Sequence, residues 1–428
     1  MSFPRYPAYK DSGVEWLGEV PGHWEVKRLK YNLSLLTEKT DRRENPVALE
    51  NIEGWTGRFI ATDTEFQGEG IAFAANDILF GKLRPYLAKA YRAESSGEAV
   101  GDFHVMRPGG GMDSHFAQYQ ILNRTFIDIV DGSTFGSKMP RASWEFVGGM
   151  EVTTPPLPEQ TQIAAFLDRE TAKIDGLVAE QRRLMALLKE KRQAVISHAV
   201  TRGLNPHAPL KPSGIEWLGD VPAHWEVIRL KKLVTESMSG PYGASLTKGM
   251  YSTAGYRVYG QQQVIPDDFS VGDYYIPEEK FEEMRRYAVF PDDVLISVMG
   301  TIGQVAVVPV NVEPGIINPR LVRYRCNTQI RPRYLQQVLM SRQHQEHLLF
   351  ESKGSTMDGL NMQTLGRVSV PLPPIPEQGQ ILEYVLDQAS KFDTLTTEAQ
   401  RAIDLLQERR TALISAAVTG QIDVRGVA

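Results

Sequence analysis

Lys82-Leu83-Arg84-Pro85-Tyr86 puts two cations and a phenol directly behind a strand-like run, and Gly132-Ser133-Thr134-Phe135-Gly136-Ser137-Lys138, with Arg141 just beyond, sets hydroxyls and cations beside glycines. Cations, hydroxyls and backbone N–H groups next to glycine are what approach phosphate oxygens on a nucleic acid. The second half of the chain offers counterparts in Thr301, after Gly300, and in Gly354-Ser355-Thr356-Met357-Asp358-Gly359-Leu360-Asn361. Tyr259-Gly260-Gln261-Gln262-Gln263 adds amides, and Gln can bond adenine bidentately in the major groove as Arg bonds guanine. The candidate DNA contacts are therefore Lys82, Arg84, Tyr86, Ser133, Thr134, Lys138, Arg141, Tyr259, Gln261, Gln262, Gln263, Thr301, Ser355, Thr356 and Asn361. Taken singly, each Gly-Ser-Thr run reads first as a polar turn, and the glutamines are equally an exposed strand edge. Recurrence of Gly-Ser-Thr in both halves sets a shared ligand level with the polar-turn reading.

Equipment for turnover is missing from the sequence. There is no Gly-x-x-x-x-Gly-Lys-Ser/Thr loop for a nucleotide, no His-Glu-x-x-His pair for zinc, and no further ligand near His344 and His347. The pairs Thr154-Pro155-Pro156-Leu157 and Leu372-Pro373-Pro374-Ile375 lack the preceding Asn or Asp and the following aromatic of an amino-methyltransferase site. The lone Cys326 excludes internal disulfides and Cys-rich zinc modules and predicts the reducing cytoplasm. No stretch approaches the roughly 18 apolar residues of a membrane span, and the opening MSFPRYPAYKDSG has no apolar signal core. The expectation is a protein that binds without catalysing, with no metal and no cofactor of its own. Net charge is -5; residues 1–154 carry 17 cations against 21 anions and residues 204–376 carry 17 of each. Any phosphate-facing surface is therefore local, and the chain alone is expected to hold DNA weakly.

The elements that must position these residues are written twice. Ser12-Gly13-Val14-Glu15-Trp16-Leu17-Gly18 returns as Ser213-Gly214-Ile215-Glu216-Trp217-Leu218-Gly219 at an offset of 201, and Pro155-Pro156-Leu157-Pro158-Glu159-Gln160 returns as Pro373-Pro374-Ile375-Pro376-Glu377-Gln378 at 218. The second half is thus 17 residues longer between the blocks. Each half opens with short β-branched and aromatic runs such as Asp77–Gly81 and Asp293–Gly300, which read as a mixed, strand-rich α/β head. The repeated Trp16, Trp24, Trp217 and Trp225 read as anchors. Arg320, Arg323 and Arg325 read as a solvated strand, with Arg323 and Arg325 on one face.

After each proline block the texture turns helical, with Pro158 and Pro376 in the first turns. Ile174, Leu177, Gln181, Leu184, Leu188, Lys191 and Val195 step by three and four, as do Phe392, Leu395, Ala399, Ala402, Leu406, Arg409 and Leu413. That spacing predicts an a/d seam, with Ile174, Leu177, Leu184, Leu188, Val195, Phe392, Leu395, Leu406 and Leu413 as its apolar members. The predicted architecture is α/β: two heads separated by two long helices, each a rod of about 60 Å, packed as an antiparallel coiled coil with pseudo-two-fold symmetry. A two-point calliper of this kind suits double-stranded DNA. A two-headed scaffold that grips protein partners is the competing reading.

Residues 12–29 with their repeat at 213–230, the proline blocks with the helices behind them, and the segments Asp77–Tyr86 and Gly354–Asn361, in this order, resemble the specificity subunit of a type I restriction-modification system. The resemblance implies target-recognition domains over residues 1–154 and 204–372, and conserved helical regions over 155–203 and 373–428. Each domain would read half of a bipartite DNA site, with an unread spacer set by helix length. It also implies partners: two adenine-N6 methyltransferase subunits that use S-adenosylmethionine, docked chiefly on the helices, and restriction/translocase subunits that use ATP and Mg. Catalysis would belong to those chains.

Overall fold

The computed structural model describes residues 3–42, 44–62, 68–134, 138–242, 245–353 and 359–426, with Lys248 by its backbone only. The chain divides into unit one, residues 1–182 with 399–428, and unit two, residues 183–398.

The head of unit one is built on an antiparallel sheet of β1 (Leu33–Leu36), β2 (Ile78–Gly81), β3 (Ala90–Arg92) and β4 (Phe103–Pro108), ordered β1-β4-β2-β3. The head of unit two has β5 (Val234–Ser239), β6 (Val294–Ser297), β7 (Val305–Val307) and β8 (Leu321–Cys326), ordered β5-β8-β6-β7. Continuous apolar runs such as Ile78-Leu79-Phe80 and Val294-Leu295-Ile296 are what a strand covered on both faces needs, and all six residues are buried. A smaller sheet accompanies each: four short strands between Lys39 and Val100 in unit one, three between Tyr256 and Ile317 in unit two. The mixed α/β heads expected from the sequence are present. The offset between halves has already risen to 216 at Asp77 and Asp293, so nearly all the extra residues enter ahead of β6, around the smaller sheet.

Ahead of β2 and β6 one device repeats. Asp77 accepts the N–H of Ala74 and holds Arg107 of β4 through two bonds of 2.9 and 2.7 Å. Asp293 accepts the N–H of Phe290 and holds Arg325 of β8 at 2.9 and 3.1 Å. Unit two adds Arg323, whose side chain is only 2% exposed, bonded to the Ala288 carbonyl and Glu236 and 3.8 Å from Asp293. Arg323 is therefore buried, not solvated, although it shares a face with Arg325 as expected. A register shift between Val234 and Glu236 in β5 sets Glu236 opposite Arg325, where it also serves Arg323. Burial pulls the Arg323 guanidinium down, and Asp293 and Glu236 oppose that pull.

Two long helices follow the heads in sequence: α1 (Leu157–Arg202) and α2 (Ile375–Val418). Gln160 and Gln378 fix their starts in the same way. Each amide accepts a head N–H, from Asp113 or Arg331 at 2.8 Å, and donates to the carbonyl five residues earlier, Pro155 or Pro373. Within unit one, Asp175 pairs with Arg410 at 3.1 Å, and Thr153, just ahead of α1, donates to the Val418 carbonyl at the end of α2. Within unit two, Arg192 pairs with Asp393 at 2.8 Å, and the Tyr334 hydroxyl bonds the carbonyls of Val200 and Pro371. The helix segments of each unit thus run antiparallel, and the two ion pairs are the same pair displaced by 218 residues.

The seam is half as the spacing predicts. Ile174, Leu188 and Val195 of α1 and Phe392, Leu406 and Leu413 of α2 are buried or half-buried. Leu177, Leu184 and Leu395 instead face outward, at 53, 43 and 46% exposure. Their places are taken by the next residues along, so the observed lines are Ile174, Val178, Gln181, Met185, Leu188, Arg192, Val195 and Phe392, Thr396, Ala399, Ile403, Leu406, Arg410, Leu413. The two lists correspond throughout at the offset of 218.

Trp24 and Trp225 are fully buried, and Trp225 donates to Glu377 at 3.1 Å. His23 and His224 beside them reach Glu159 and Glu377 in the first turns of α1 and α2, each at 2.8 Å. Trp217 stacks on His347 at 4.3 Å. Trp24, Trp217 and Trp225 are anchors, as expected.

Candidate nucleic-acid interface

In unit one the chain leaves β2 into a turn pinned on several sides. Lys82 N–H donates to the Asp102 carbonyl, Ala142 N–H to that of Lys82, and Arg84 N–H to that of Pro140, each at 2.9 Å. Leu83 and Arg141 form an isolated antiparallel bridge. Arg84 and Ala88 take left-handed backbone angles, φ 51° and 48°, on either side of a short 3₁₀ turn at Pro85–Leu87. A non-glycine residue there costs about 1–2 kcal/mol, so the surrounding bonds must hold it. One of them is the Trp55 N–H on the Ala88 carbonyl, and a Cβ on the adjacent Gly54 would come within 2.3 Å of the Leu87 carbonyl oxygen.

Side chains at this tip divide into paired and open. Arg141 grips Asp102 with two bonds of 3.0 and 2.9 Å, which raises its already high pKa, and Lys82 stands 3.9 Å from the same carboxylate. Arg84, Tyr86 and Lys138 are exposed. Ser133 and Thr134 turn their hydroxyls back onto the carbonyls of Val130 and Asp131, closing the helix Arg124–Gly132. They serve as a helix end here, because a hydroxyl three residues on is well placed for an open carbonyl of the last turn.

The second head repeats the construction. Met299 bridges Gly359 as Leu83 bridges Arg141, and Gly300 has φ 73° where the equivalent residue is Arg84. Thr301 and Gln262 are exposed. Gln261 spends its amide within the tip: its Nε2 donates to Ser297 Oγ and the carbonyls of Met299 and Thr301, and its Oε1 accepts from Arg320 at 3.2 Å. Tyr259 is buried with its hydroxyl on the Glu313 carbonyl, and Gln263 is buried, accepting from Gly260 N–H and donating to Val271. Both are corrections to the sequence reading; their polar groups are consumed by neighbouring backbone, leaving nothing for a base. Asn361 caps the helix Met362–Arg367, accepting the Thr364 N–H at 2.8 Å. Ser355 and Thr356 lie outside the described residues.

Of the candidates, the fold gathers Lys82, Arg84, Tyr86 and Arg141 at one tip and Gln261 and Thr301 at the other. Sequence reading missed Asp102, which organises Lys82 and Arg141, and Arg320, which is exposed and braces Gln261. An acidic residue opposite two cations of a candidate cluster was the available signal for Asp102. Among the described residues no group of three or more His, Cys, Asp or Glu could hold a metal ion, and no helix is long and apolar enough to cross a membrane.

Comparison with known proteins bears on what such tips are for. Residues 246–405 match the family model for the type I restriction modification DNA specificity domain. The chain is similar there to the specificity subunits of type I restriction-modification systems. DNA target recognition is the function class of that family. The chain is 22% identical over 439 residues to the putative type I restriction enzyme MjaX specificity subunit of Methanocaldococcus jannaschii, covering 96% of both. It is 24% identical over 207 residues to the type I restriction enzyme EcoDI specificity subunit of Escherichia coli, a match spanning under half of that protein, 46%. Its fold is similar to that of a chain solved in work on assembly and conformational transition of a type I R-M system, at a TM-score of 0.71 with 18% identity, over 93% of this chain and 98% of that one. The HsdS subunit from Thermoanaerobacter tengcongensis is a further fold neighbour, at 0.51 and 18%, over 94% and 98%.

Proposed function

We propose that this chain is the sequence-reading subunit of a type I restriction-modification complex. It reads a bipartite double-stranded DNA site, one half per head, and directs adenine-N6 methylation and restriction by partner subunits. The observation that carries the reading is the tip made twice: the same strand, left-handed turn and bridge, Leu83 to Arg141 and Met299 to Gly359, present different side chains in the two heads. One frame with two sets of contacts is what a split, asymmetric site requires.

Catalysis falls to the partners, two methyltransferase subunits with S-adenosylmethionine and restriction/translocase subunits with ATP and Mg. The outward leucines of the helices, Leu177 and Leu405 in unit one and Leu184, Leu187, Leu386 and Leu395 in unit two, are apolar surface of the kind a partner helix covers. The deciding experiment is mapping of methylated adenines in the source genome with and without this gene. Loss of methylation at one split motif is the expected result; an unchanged methylome sinks the proposal.

A further inference from the structure

We propose that Arg84 reads a guanine in the half-site engaged by the first head. This inference rests on the DNA-reading function proposed above. Arg84 and Gly300 hold equivalent positions, each one residue beyond the bridge partners Leu83 and Met299, and both are left-handed, with φ 51° and 73°. Glycine meets that backbone requirement without strain, and in the second head glycine is what stands there. A turn that needed shape alone would carry glycine in the first head too. Arginine bears the conformational cost, so its side chain has a use.

That use lies outside the chain. Arg84 is exposed, and none of the described hydrogen bonds or ion pairs engages its guanidinium, whereas Lys82 and Arg141 beside it share Asp102. The backbone beneath it is held by the Pro140 carbonyl and by the fixed φ of Pro85, and the turn closes on Trp55. Neutralising a phosphate needs only a charge, which a flexible cation supplies. A planar fork on a rigid base suits two parallel bonds to guanine O6 and N7. Tyr86 and Met139, 48 and 51% exposed, add apolar surface to the same tip.

The test is selection from a randomised duplex pool by the full-length chain at low ionic strength, comparing wild type with Arg84→Gly and Arg84→Lys. Both variants are expected to lose preference for guanine at one position of one half-site, by roughly ten- to hundredfold, with the other half-site unchanged. Arg84→Gly keeps the left-handed turn and should melt no lower than wild type, so loss of selectivity cannot be loss of fold. Unaltered base preferences in both variants overturn the inference. So does a uniform fall in affinity across all sequences with a salt slope shallower by about one, the mark of a phosphate contact. A wild-type chain that enriches no motif counts against the DNA-reading function itself, a separate outcome.

Discussion

Asp293 and Asp77 hold the same position in their heads, yet their removal has different costs. Asp293 is buried beside Arg323, whose guanidinium has almost no water to turn to. Asp293→Ala breaks both bonds to Arg325 and leaves the buried Arg323 with Glu236 as its one carboxylate partner, and should cost about 3–5 kcal/mol; Asp77→Ala releases a half-exposed Arg107 and should cost about 1–3 kcal/mol. Urea unfolding of the two variants checks the order, and equal losses would refute it. His344 supplies a second residue-level test. Fully buried between the Ser341 hydroxyl and the Ser369 carbonyl, its ring is pushed by burial from the ordinary 6.5 down to about 4. Between those values the unfolded chain takes the proton first. The contribution to stability is complete above about pH 6.5 and drains away as pH falls toward 4. Denaturation midpoints across that range should fall more steeply for wild type than for His344→Gln; parallel curves would remove His344 as the source. Tyr259 and Gln263 show where residue-level reading stopped. A Tyr-Gly-Gln-Gln-Gln run advertises donors and acceptors, but whether they face solvent or bond their own strand depends on a turn and a second sheet that the run does not encode.

At the scale of elements, the duplication, the strand-rich heads, both helix starts and the alternating steps of the seam were legible. The seam's phase was not. Leu177 and Val178, Leu184 and Met185, Leu395 and Thr396 are adjacent pairs, and apolar strength alone favours leucine each time. Burial chose the other member because the seam admits Thr396, whose hydroxyl bonds the Phe392 carbonyl, and Arg410, whose charge meets Asp175 and the Trp55 carbonyl. Polar residues satisfied by neighbours can occupy a seam that a hydrophobic pattern would deny them. Ile174→Ala and Leu188→Ala should cost about 2–4 kcal/mol, whereas Leu177→Ala, Leu184→Ala and Leu395→Ala should stay within about 0.5 kcal/mol of wild type. Chemical denaturation of the five variants decides between the observed phase and the predicted one.

For the whole molecule, charge and repetition set the terms. With a net charge of -5, the chain alone should bind duplex weakly, with log affinity falling against log salt less steeply than a slope of about -4, fewer than five phosphate contacts. Titrations from 50 to 200 mM salt measure it. Repetition brings a hazard of its own. The seams of α1 and α2 are one list at an offset of 218, and the ion pair Asp175–Arg410 is Asp393–Arg192 over again. Apolar pattern therefore cannot tell either helix from its own copy in another molecule. Discrimination falls to contacts made with a particular head, such as Arg410 on the Trp55 carbonyl in unit one and Gln193 on the Met340 carbonyl in unit two. Until those heads have formed, a folding chain can exchange helices with its neighbour. Refolding at high concentration should accordingly trap interlocked dimers that dilute refolding avoids.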